Sequence, residues 1–105
     1  MIATSVLAAG CISTSVGEVS YSKGNVSISI ISPAQVDDSY IQVTAYRVKD
    51  LHQEETAVFG APVTLVAGEN SVLIPGQITP GQYKLFIYVI QDGQRKTAVI
   101  RDIRV

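Results

Sequence analysis

Residues 82–105 constrain the fold more than any other stretch. Two apolar-rich runs, Gln82 to Ile90 and Gln94 to Val105, meet at Asp92-Gly93. Asp-Gly between such runs signals a two-residue hairpin, because both central residues of that turn need positive φ. With Asp92 and Gly93 as the loop, Gln91 opposes Gln94, and the period of two fixes every pair behind it. On one face Val89 then meets Lys96, Ile87 meets Ala98 and Leu85 meets Ile100. On the other, Tyr88 meets Thr97, Phe86 meets Val99 and Lys84 meets Arg101. Ile103 and Val105 fall out of phase in this register, so a bulge is expected near Arg101-Asp102.

The same period recurs upstream. Val26, Ile28 and Ile30 alternate with serines, opened by Gly24-Asn25 and closed by Ser32-Pro33. In residues 40–48, Ile41, Val43 and Ala45 take one face, and Tyr40, Gln42, Thr44 and Tyr46 the other. A polar connection is expected from Lys49 to Thr56. Short strands are expected at 57–59 and 63–66, broken by Gly60 and Pro62. Gly68-Glu69-Asn70 reads as a turn, and 71–74 as one more strand before Pro75-Gly76. No helical period is long enough to compete. A length of 105 residues allows one domain. About seven short strands, with turn signals about every 8–12 residues, predict an all-β chain, a two-sheet β-sandwich.

Ile78-Thr79-Pro80-Gly81-Gln82-Tyr83 leads straight into the long strand. This corner resembles the one before the sixth strand of immunoglobulin-like and fibronectin type III-like domains. The resemblance spans about residues 20–105 as pattern, with the corner and the Asp-Gly hairpin as its motifs. It implies an immunoglobulin-like β-sandwich in which Tyr83 hydrogen-bonds back to upstream backbone. The chain has no Trp and a single Cys, so it departs from antibody-type domains with their inter-sheet disulfide.

Residues 1–17 carry no charge and are rich in small and apolar side chains. They are expected to form an extended N-terminal arm or first strand, with Ile2, Val6 and Ile12 on one face, before a sandwich over 18–105. The run is too short to cross a bilayer as a helix, which takes about 20 residues. Leu7-Ala8-Ala9-Gly10-Cys11 resembles a bacterial lipobox, whose Cys receives lipid. No Lys or Arg precedes it, only ten residues stand before Cys11, and Ala8 occupies the place usual for Leu.

The residue types for chemistry are sparse. His52 is the one histidine and Cys11 the one cysteine, so no dedicated zinc site and no Cys-His nucleophile pair is expected. Asp37-Asp38 and Glu54-Glu55 match no calcium-loop pattern and are read as solvated. No Gly-rich phosphate loop or nucleophile elbow occurs. A formal charge of −1 argues against nucleic acid as a partner. Sugar stacking is disfavoured because Trp, its strongest contributor, is missing. The expectation is a non-enzymatic protein with no catalytic residue, metal or cofactor.

Surface is what remains. Charged residues are 16% of the chain, below the roughly 25% of an ordinary soluble domain. The charge is also uneven, with the negative excess in residues 1–83 and the positive excess in 84–105. The long hairpin has apolar residues on both faces, whereas a sandwich sheet needs only one. Phe86, Tyr88, Ile90 and Val99, with Ile2, Val6 and Ile12, are therefore the candidate interface residues. These features point to protein partners, by self-assembly or within a larger assembly. The expected role is a virion accessory component, such as a capsid-decorating or tail-associated subunit. The alternative is a secreted or lipid-anchored bacterial surface module carried by Cys11.

Overall fold

The structure, a computed structural model, describes residues 14–105. Seven strands run β1 (Ser15–Ser22), β2 (Asn25–Ser32), β3 (Val36–Lys49), β4 (His52–Leu65), β5 (Gly68–Pro75), β6 (Gln82–Gln91) and β7 (Gln94–Arg104). They form two antiparallel sheets, ordered β1-β2-β5 and β4-β3-β6-β7. The result is the all-β sandwich expected, in an arrangement consistent with an immunoglobulin-like one. Among the described residues there is no helix, so none long and apolar enough to cross a membrane.

The core follows the alternation. Val26, Ile28 and Ile30 of one sheet face Ile41, Val43, Ala45, Leu85, Ile87 and Val89 of the other, all fully buried. Tyr83 is 1% exposed. Its hydroxyl donates to the Thr79 carbonyl oxygen at 2.9 Å, the backward bond expected of a corner tyrosine.

Three hairpins close on two-residue turns with positive φ at both positions: Lys23-Gly24, Asp50-Leu51 and Asp92-Gly93. That is the turn whose twist suits antiparallel strands. The middle one corrects the polar connection expected over 49–56. Those residues continue β3, turn at Asp50-Leu51, and start β4.

Strand β4 also runs unbroken through Gly60 and Pro62. It lies at the sheet edge, where a missing N–H removes no ladder bond. Gly60 is needed there: a Cβ would sit 2.5 Å from the Ile41 carbonyl oxygen and 2.8 Å from the Tyr40 hydroxyl. Gly68, Glu69 and Asn70 are likewise not a turn but the start of β5, and only Val66 and Ala67 cross between the sheets. The Asn70 amide ties that crossing by donating to the Val66, Gly68 and Ile30 carbonyls.

The β6–β7 register needs a further correction. Gln91 faces Gln94 and Ile90 faces Arg95 as expected, but Val89 then faces Thr97. The extra residue is Lys96, beside the turn, not one near Arg101-Asp102. Without this bulge, Lys96 would face inward beside Val89. With it, Thr97, Val99, Arg101, Ile103 and Val105 all point to the core side. Ile103 and Val105 thus come into phase at the opposite end of the strand from the one expected. Phe86 faces Ile100, and Val99 pairs with buried Ile87.

Strand β1 crosses the boundary expected at residues 17 and 18, since Val16 belongs to the core. Its start is held by side chains of β7. Thr97 Oγ1 donates to the Thr14 carbonyl at 2.7 Å, and Arg101 Nη2 to the Val16 carbonyl at 2.8 Å. These bonds occupy acceptors that an open strand edge would leave for water or another chain.

Candidate interaction surface

The two sheets present different outer faces. That of β1-β2-β5 is mostly serine, with Ser27 opposite Leu73, Ser29 opposite Ser71, and Ile31 opposite Glu69. Ile31 and Leu73 stand alone among polar neighbours, which is ordinary for a soluble surface.

The outer face of β4-β3-β6-β7 is built in registered rows. One row reads Val58, Thr44, Phe86, Ile100 and the next Gly60, Gln42, Tyr88, Ala98. A third holds Pro62, Tyr40, Ile90 and Arg95. At the far end lie Glu55, Tyr46, Lys84 and Asp102. Val58 is 55% exposed, Ile100 53% and Tyr40 40%. A contiguous apolar and aromatic field across four strands is what an interface presents, and an ordinary solvated sheet alternates to polar instead.

The rings on this face are partly organised. Tyr46 and Phe86 pack with centroids 5.0 Å apart and planes at 59°. Tilted rings of this kind favour side-chain packing over a flat sugar-stacking platform. The Arg95 guanidinium lies 4.1 Å from the Tyr88 ring centre, a cation–π contact that covers the ring's end of the field. Loss of surrounding solvent, then the nearby Glu55 carboxylate and Tyr88, pushes the Tyr46 phenol above its ordinary pKa of 10.0. The Tyr46 hydroxyl also donates to Glu55 Oε1 at 3.4 Å. The two central rows of the face, through Thr44 and Gln42, hold no Asp, Glu, His, Lys or Arg. Charges stand at its two ends: Arg95 at one, and at the other Glu55, Lys84 and Asp102, where Lys84 Nζ meets Asp102 Oδ1 at 2.8 Å.

Of the interface residues expected from sequence, Phe86, Tyr88 and Ile90 lie on this face. Val99 does not, because the Lys96 bulge turns it to the core side and gives its place to Ile100. Ile2, Val6 and Ile12, with Cys11, lie outside the described residues. Tyr40, Tyr46 and Val58 complete the field and were missed as interface residues. Their alternation was visible in sequence, but not that β3 would lie beside β6.

The acidic pairs do not converge. Asp37 and Asp38 line a shallow depression of about 140 Å³ with Ser39, Pro62, Val63 and Thr64. Glu54, Glu55 and His52 are exposed near the far tip of the β3–β4 hairpin. Among the described residues, no three His, Cys, Asp or Glu side chains group as metal ligands would. No protein-family model matches the chain, and no curated protein matches it.

Proposed function

We propose that the chain is a non-enzymatic assembly subunit that docks through the outer face of its four-stranded sheet. The observation that carries this reading is the apolar and aromatic field, broken on β3 only by Gln42 and buried Thr44, over rows where a solvated sheet would be polar. Its fold reads as a fibronectin type III-like variant of the immunoglobulin-like sandwich. The corner bond of Tyr83 and the sheet order β1-β2-β5 against β4-β3-β6-β7 support that assignment. Small size, a low charge fraction and a lack of paired cysteines fit a virion accessory component, such as a capsid-decorating or tail-associated subunit. That step rests on analogy with other uses of such sandwiches, because a fold alone does not set function.

The test is the native mass in which the chain migrates when recovered from its own source. The wild-type chain is expected in a large assembly. Phe86→Glu with Tyr88→Glu is expected to keep its unfolding midpoint within a few degrees and migrate free. A wild-type chain that migrates alone, or a double variant that stays assembled, contradicts the reading.

A further inference from the structure

The outer face of the four-stranded sheet has an internal symmetry that names its occupant. Phe59, Val43, Ile87 and Val99 form one registered cross-strand row on the core side. The outer residues are disposed evenly about that line. Phe86 and Tyr88 flank it on β6, and Ile100 and Ala98 flank it on β7. Val58 and Gly60 do so on β4. Because Lys96 is an extra residue, Arg95 and Asp102 also stand three pairs from the line, on opposite sides.

We infer that this face packs against a second copy of the chain, with the strands of the two copies antiparallel. This rests on the proposed docking role of the face and adds its partner. Reversing one copy about the central row lays Phe86 over the other copy's Tyr88. It sets the larger Ile100 and Val58 over the smaller Ala98 and Gly60. It also sets Asp102 over Arg95 and Arg95 over Asp102. The parallel alternative lays β4 of one copy over β7 of the other, and brings Glu55 against Asp102. Charge complementarity thus selects the antiparallel pair, and it fixes orientation more than strength.

Packed sheets cross at about 30°, which displaces positions three pairs from the centre by about 5 Å, within an arginine's reach. Four strands about 4.8 Å apart make a patch about 20 Å on a side. That is the footprint of a weak, concentration-dependent dimer and not of an obligate one.

The experiment is sedimentation equilibrium of the full chain at rising concentration, with two charge reversals. Wild type is expected to climb from monomer to dimer mass. Arg95→Glu and Asp102→Arg, each alone, face like with like twice per dimer and are expected to need at least ten times the concentration. In an equimolar mixture of the two variants, both end contacts of a mixed dimer again join opposite charges, and the dimer is expected to recover. Recovery by mixing separates the contact between copies from loss of the Tyr88 stack or the Lys84 bond, which mixing does not repair. Unfolding midpoints near wild type confirm that both variants fold. Failure of the mixture to recover the dimer overturns the inference, and so does a wild type that stays monomeric throughout. If wild type stays monomeric yet the Phe86→Glu, Tyr88→Glu variant still leaves its native assembly, the self-pairing is refuted and the docking face stands.

Discussion

Tyr83 closes the corner before β6 with one hydroxyl, which lies against both the Thr79 carbonyl and the Thr79 side chain. Its ring is buried, and removing the hydroxyl takes one hydrogen bond from the half-covered Thr79 carbonyl. Tyr83→Phe is expected to cost about 1–2 kcal/mol, read as a lower urea midpoint with an unchanged slope. An unchanged midpoint would show that the corner is held by packing alone. Leu51 makes the opposite case. Of the three two-residue turns, two place Gly at the second position, and this one places a fully exposed Leu at φ 68. Left-handed backbone costs a side-chain-bearing residue about 1 kcal/mol. Leu51→Gly is therefore expected to raise the melting temperature by several degrees. A fall would mean that Leu51 gains contacts at the tip that offset its strain.

Among elements, the β6–β7 hairpin shows how far sequence reasoning reaches. The Asp-Gly turn and its first two pairs were legible, because turn chemistry is local. So was the phase conflict at Ile103 and Val105. The place of its resolution was not legible, because two sites for one extra residue satisfy the same parity. The choice depends on keeping the Lys96 ammonium out of the core, a tertiary cost. Deleting Lys96 removes the extra residue and leaves Thr97 opposite Val89, so residues 97–105 keep their faces. The chain lacking Lys96 is therefore expected to unfold cooperatively close to the wild-type midpoint. A large fall in that midpoint would show that the bulge itself is needed for the fold. Strand β4 was misread for a related reason. Gly60 and Pro62 break a central strand but not an edge one, and edge position is a property of the sheet, not of the segment.

For the whole molecule, the decisive property is the difference between two outer faces, one serine-rich and one apolar. Half of the apolar face was legible, since Phe86, Tyr88 and Ile90 alternate beside a buried set on the same strand. The other half depended on β3 lying beside β6 and β4 beside β3, which no local pattern states. The central claim is that the apolar face is covered in the working assembly. Radical oxidation of tyrosine and phenylalanine rings reads this directly, in native material and in the isolated chain at low concentration. Tyr40, Tyr46, Phe86 and Tyr88 are expected to be strongly protected in the native material and reactive in the isolated chain, while buried Tyr83 stays protected in both. Equal labelling of those four rings in the two samples would contradict the account.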